Sequence, residues 1–128
     1  MAKLRIFIIE DEMIFAFHLQ TALKEAGYEV VGRCATGERA LTMSHNLKFD
    51  LIITDHKLLG SLNGIETVEA LREAKKEQIP VIFVTGESNE VILQQMKVGQ
   101  PAQVIKKPVK MSEMLKCVTS MMANKTVD

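Results

Sequence analysis

Short apolar runs recur along this chain, and each is followed by a stretch of helical period. The first holds Leu4, Ile6, Phe7, Ile8 and Ile9. Val30, Val31 and Cys34 lie in the second, Tyr28–Ala35. Then come Leu51-Ile52-Ile53-Thr54-Asp55, Val81-Ile82-Phe83-Val84, and Ala102–Ile105. Most are too continuous for strands with one wet face, so they read as strands covered on both sides. Between them, Met13–Ala26 carries Phe15, Leu19, Ala22, Leu23 and Ala26 on one helical stripe, with Gly27 ending it. Thr36 is a fitting N-cap for a helix over Gly37–Asn46, with Ala40, Leu41 and Leu47 inward. Ile65–Ala74 is a third helix, with Ile65, Val68, Ala70 and Leu71 for the core. Ser88 or Asn89 can cap a fourth, running to about Val98 before Gly99. The last helix presents Met111, Met114, Leu115, Val118 and Met122. Alternation of this kind predicts an α/β fold: a doubly wound, five-stranded parallel sheet joined by right-handed crossovers.

In such a sheet every strand ends at one edge, where open α/β folds place their chemistry. That edge gathers Glu10, Asp11, Asp55, Thr85 and Lys107. Any one of them alone fits turn chemistry or a solvated charge; their convergence does not. Three crowded carboxylates repel one another and call for a cation, and an all-oxygen set with water selects a hard one such as Mg²⁺. A lysine adds a second positive charge and Thr85 a neutral donor, with Gly86 leaving room beside it. Metal, ammonium and hydroxyl together describe a clamp for the oxygens of a transferring phosphoryl group, with Asp55 as carboxylate nucleophile.

Composition narrows the alternatives. The 128 residues make one domain, 1–128, long enough to bury a core. Sixteen Lys and Arg balance sixteen Asp and Glu, which argues against direct nucleic-acid binding through a basic surface. Cys34 and Cys117 are far apart, lack metal-ligand spacing, and suit buried thiols in a reducing compartment. His18, His45 and His56 share no spacing that suggests a site. The first apolar run is cut off by Glu10-Asp11-Glu12 and is too short for a signal peptide or a membrane span. A cytoplasmic protein with no membrane association is expected.

The order of these pieces resembles the response-regulator receiver domain of two-component signalling, over essentially the whole chain. The resemblance rests on Ile8-Ile9-Glu10-Asp11-Glu12, Leu51-Ile52-Ile53-Thr54-Asp55, Val84-Thr85-Gly86, Lys107-Pro108, and Gly64 at the start of the third helix. It implies a flavodoxin-like (βα)5 fold with strand order 2-1-3-4-5. It implies that Asp55 accepts a phosphoryl group from a phosphohistidine of a sensor histidine kinase or a histidine phosphotransfer protein. Such a protein is a self-phosphoacceptor that slowly loses its phosphate, not an enzyme. By the same match, Mg²⁺ would be held by Asp11 directly, Glu10 through water, Asp55, and the backbone carbonyl of Lys57. Thr85 and Lys107 would hold phosphoryl oxygens. A cis Lys107–Pro108 bond also fits, because an X–Pro bond costs only about 0.5–1 kcal/mol in that form.

The chain departs from the family pattern in two places. The loop from Asp55 to Gly64 is one residue longer than the commonest form, and Leu58-Leu59-Gly60 replaces its Met-Pro pair. Three residues before the lysine, where receivers usually carry Tyr, Phe or His as a reporting side chain, stands Val104. The output surface is expected on the fourth helix, fifth strand and fifth helix, with Gln95, Lys106 and Lys110 exposed, for a downstream protein target. Lys57 and Glu87 are expected to flank the phosphoryl group, and Met13, Ile14 and Phe17 to lie off the core stripe as a docking patch. With no effector domain after the last helix, action by docking or by phosphorelay is expected. A pseudo-receiver binding module is one alternative, though no acid, acceptor or lysine is lost. An aspartyl-phosphate phosphohydrolase is another. It needs an Asp two residues after the nucleophile, where this chain has Lys57.

Overall fold

The computed structural model of the protein describes residues 3–86 and 101–125. Five parallel strands form one sheet: β1 (Arg5–Ile9), β2 (Glu29–Cys34), β3 (Leu51–Asp55), β4 (Val81–Thr85) and β5 (Ala102–Lys106), in the order β2-β1-β3-β4-β5. The described helices are α1 (Met13–Glu25), α2 (Gly37–Ser44), α3 (Gly64–Lys75) and α4 (Met111–Lys125). The strand order agrees with expectation. The predicted helix over 89–98, with Gln95, and the predicted flanking residue Glu87 lie outside the described residues.

Apolar residues on both faces of the strands explain the two cores. Along β1, Ile6 and Ile8 point to the layer of α1 and α4, where they meet Leu19, Leu23, Met114 and Val118. Phe7 and Ile9 point to the opposite layer, with Ala40, Ile65, Val68 and Leu71 of α2 and α3. The same alternation runs through β3 and β4, each buried along its whole length. Full burial of an Ile or Phe side chain contributes about 1.5–3 kcal/mol, so these central strands are a rigid platform for what sits at their ends.

The helix ends follow local chemistry. Thr36 caps α2 by accepting the Arg39 N–H at 3.1 Å, as predicted. α3 begins with a capping box: Asn63 Oδ1 accepts from Glu66 N at 2.8 Å, and Glu66 Oε1 accepts from Asn63 N at 2.9 Å. On α1 the buried residues are Ala16, Leu19 and Leu23. Ala26, assigned to the stripe, is exposed because the helix ends at Glu25 and Ala26 is its C-cap. Cys34 and Cys117 are free thiols, half-buried rather than buried.

Candidate functional site

Each strand end delivers one part of the site. β1 ends at Ile9, and the Glu10 N–H that follows donates to the carbonyl of Cys34 at 2.8 Å, so β2 fixes the turn. Glu10 is thereby buried, and its Oε2 accepts the Glu12 N–H at 2.9 Å. β3 ends at Asp55, also buried, whose Oδ1 accepts the Lys57 N–H at 3.2 Å. Gly64 makes the return of this loop possible. Its N–H donates to the His56 carbonyl at 2.7 Å, and a Cβ there would collide with the Asp55 carbonyl. Thr85, the last residue of β4, is buried. The Lys107 N–H donates to the Thr85 carbonyl at 2.8 Å, which ties the end of β5 to the end of β4. The Lys107–Pro108 bond is cis, as expected.

The Lys107 ammonium joins the parts. Nζ donates to Asp55 Oδ2 at 3.0 Å and to Glu12 Oε1 at 2.8 Å, and it stands 3.4 Å from Glu10 Oε1. It also lies over the Phe15 ring, 5.3 Å from the centroid. Burial pulls the lysine pKa down, but the hydrogen bonds to Glu12 and Asp55 outweigh it and hold Lys107 above its ordinary value. Burial pushes the Glu10 carboxyl up to about 7, helped by the nearby Asp55 charge and opposed by the Glu12 N–H and Lys107.

Ligand oxygens of Glu10, Asp11 and Asp55 all lie within 4.8 Å of one another. Glu10, Glu12 and Asp55 share the Lys107 ammonium, and Asp11 stands close to Glu10 and Asp55, so carboxylates crowd this edge. Two of the three clustered acids are buried, and the donors are all oxygen. That set fits a hard divalent cation such as Mg²⁺. The structure thus brings Glu10, Asp11, Asp55, Thr85 and Lys107 to one edge, with the Lys57 backbone beside Asp55.

Three features were not read from the sequence. The Glu12–Lys107 contact spans 95 positions and leaves no local signal. The capping box at Asn63 did leave one, the Asn-x-x-Glu spacing. The third is Glu38 of α2, whose carboxylate accepts the N–H groups of Ser61 and Leu62 in the loop after β3. Val104 is half-buried, in register with Phe83, and packs against the cluster of the α2–α3 layer. Lys106 and Lys110 are exposed, as expected. Among the described residues no helix is long and apolar enough to cross a membrane.

Comparison with known proteins places this geometry. The family model for the response regulator receiver domain matches residues 6–119. Among curated proteins, the transcriptional regulatory protein PdtaR of Mycobacterium tuberculosis is 27% identical over 114 residues, covering 89% of this chain and 54% of that protein. YrkP of Bacillus subtilis, an uncharacterized transcriptional regulatory protein, is 36% identical over 85 residues, covering 66% of this chain and 35% of its own length. The chain therefore spans about half or less of the curated relatives it matches. Among solved structures, a CheY-like receiver domain of Methanospirillum hungatei superposes with a TM-score of 0.83 at 27% identity, covering 96% of both chains.

Proposed function

This chain belongs to the response regulator receiver domain family of two-component signalling, and from that premise we propose that Asp55 is its phosphoacceptor, served by Lys107 and Thr85 and by Mg²⁺. The observation that carries the reading is the Lys107 ammonium, 3.0 Å from Asp55 Oδ2 at an edge where Glu10 and Asp11 converge.

The donor would be a phosphohistidine of a histidine kinase or a phosphotransfer protein. An Asp55 carboxylate oxygen attacks phosphorus in line. The new P–O bond forms as the P–N bond to imidazole breaks, and the electron pair of that bond leaves with the ring. Lys107 is already charged and already at the acceptor, so its ammonium has only a short way to move to a phosphoryl oxygen. The Thr85 hydroxyl, at the end of the neighbouring strand, donates to another. Glu10, Asp11, Asp55 and the Lys57 carbonyl would hold Mg²⁺, which when bound supplies positive charge against the phosphoryl oxygens. The buried strand ends keep these groups fixed, so little reorganisation is required of them as charge develops.

The described strands and helices support a (βα)5 receiver, and the helix expected over 89–98 lies outside the described residues. The output surface is proposed on that helix, β5 and α4, for a protein partner. Val104 favours a second reading within the same class, a phosphorelay intermediate that passes the group on. Lys57, two residues past Asp55, weighs against a phosphohydrolase, which would need an acid there.

The test is incubation with acetyl phosphate and Mg²⁺, followed by intact-mass measurement. The wild-type chain should gain one phosphoryl group and Asp55→Asn none, because an amide is no nucleophile here. Wild-type uptake by Asp55→Asn would reject the assignment, and turnover without a stable mass gain would point to hydrolysis.

A further inference from the structure

The loop that leaves β3 runs from His56 to Asn63 and contains no proline. Its two ends are fixed by bonds already described, at Lys57 and Gly64 on one side and at the Asn63 capping box on the other. Its middle has little apolar anchorage. Leu59, Gly60 and Ser61 are all exposed, Leu59 to 63%. A segment with so few buried contacts opens easily unless polar groups hold it.

Glu38 provides that hold. It lies in the first turn of α2, where a carboxylate is favoured by the helix dipole, and Thr36 caps the same turn. Its Oε2 accepts the Ser61 N–H at 3.1 Å and its Oε1 the Leu62 N–H at 3.4 Å. Two successive N–H groups aimed at one point form an anion-binding concavity, and here the protein's own carboxylate fills it. Alongside, Thr36 and Leu59 pair as a parallel β-bridge. The backbone of this turn calls for glycine. Gly60 has φ +95°, and a Cβ on it would stand 2.6 Å from Glu38 Oε2. The Ser61 hydrogen bond also holds the Glu38 carboxyl below the usual carboxylate range.

We propose that Glu38 is a positioning residue for the metal site, pinning the β3–α3 loop to α2 so that the Lys57 backbone, whose N–H donates to Asp55 Oδ1, stays beside Asp55. The inference rests on the reading above only in taking Lys57 and the acidic cluster as the Mg²⁺ site. Glu38 touches neither metal nor substrate. It acts through the loop, as groups that orient a ligand without binding the metal commonly do. It also does the stiffening that the missing proline would otherwise do.

The test compares the wild-type chain with Glu38→Ala and Glu38→Gln, using Mg²⁺ alone as the probe. Calorimetry reads the dissociation constant, and amide hydrogen exchange reads the loop. Glu38→Ala should speed exchange at Ser61 and Leu62 by about tenfold or more. It should raise the Mg²⁺ dissociation constant by roughly tenfold. Exchange in β1 and β3 should stay as in wild type, showing an intact fold. Glu38→Gln keeps one acceptor oxygen and should fall between. Fast loop exchange with wild-type Mg²⁺ affinity overturns the proposal, as does unchanged loop exchange. Acetyl-phosphate labelling is scored separately. A wild-type chain that binds Mg²⁺ but takes no phosphoryl group overturns the phosphoacceptor reading and leaves the pin supported by its own two readouts. A wild-type chain that binds no Mg²⁺ overturns both.

Discussion

His56 is buried directly after the proposed acceptor, and its Nδ1 has no hydrogen-bond partner among the described residues. The backbone explains the burial. His56 opens the loop after β3, where Gly64 returns against its backbone and donates to its carbonyl at 2.7 Å. A buried polar atom without a partner costs about 1–3 kcal/mol. An apolar side chain of similar size should therefore fit better than the histidine does. His56→Leu is expected to raise stability by about 1 kcal/mol, seen as a higher urea midpoint with an unchanged slope. A lower midpoint would show that the ring is satisfied in solution. Nothing local in the chain signals this, because three histidines without mutual spacing look alike until one of them is buried. Glu12 teaches a similar lesson. It caps α1 without a side-chain cap bond, and its carboxylate goes instead to Lys107. Chain-local reasoning assigns such a residue to its helix, while the charge on a distant strand end decides.

At the scale of elements, the apolar runs located all five strands to within two residues at either end, since both faces of each central strand must be covered. Helix faces were less legible. Ala16 is buried and was missed, because a small side chain adds little to a periodic pattern even when it faces the core. Contacts that long polar side chains make away from the strand-end site were not legible. Glu38 reaches a loop 23 positions away, and the buried Arg72 donates to the carbonyls of Ile79 at 3.0 Å and Pro101 at 2.9 Å. The exposure of the start of α1, by contrast, was legible. Met13, Ile14 and Phe17 are 73%, 78% and 60% exposed, and no neighbouring loop covers them among the described residues. Together with Phe15 and His18, the first two line a shallow hollow beside Glu12. An apolar patch next to the acidic cluster suits a phosphodonor that must dock there. Phe17→Glu should accordingly change stability by no more than about 0.5 kcal/mol, as exposed substitutions do. Labelling by acetyl phosphate should be unchanged and labelling by the cognate kinase slowed. Equal slowing with both donors would move Phe17 from docking to the chemistry itself.

Across the whole molecule, the question is how one phosphoryl group alters a surface. A switch needs a free-energy difference between its states, made by contacts that differ. Val104 cannot supply it by rotation. It is small, stiff at χ1, and packed against the apolar cluster that includes Phe83, with which it is in register. The differential contact must lie where charge changes hands. Lys107 holds Asp55 and Glu12 through Nζ, while its backbone N–H is bonded to the Thr85 carbonyl. A phosphoryl group on the proposed acceptor Asp55 would draw the ammonium and the Thr85 hydroxyl toward itself through charge-assisted bonds. The backbone bond then makes the ends of β4 and β5 move together, and the start of α4 follows a few residues later. The expected outcome is that a beryllofluoride mimic with Mg²⁺ shifts the amide resonances of Gly86, Lys106, Lys107 and the first turn of α4. Val104 should keep its methyl couplings, and so its rotamer. Shifts confined to residues 55–62 would sink this route and favour a simple phosphate relay. A change of Val104 rotamer would show that a β-branched residue can do what an aromatic one usually does. Either result would be decided at the junction of two strand ends, because that is where the charge of the phosphoryl group meets the backbone that connects to the outer surface.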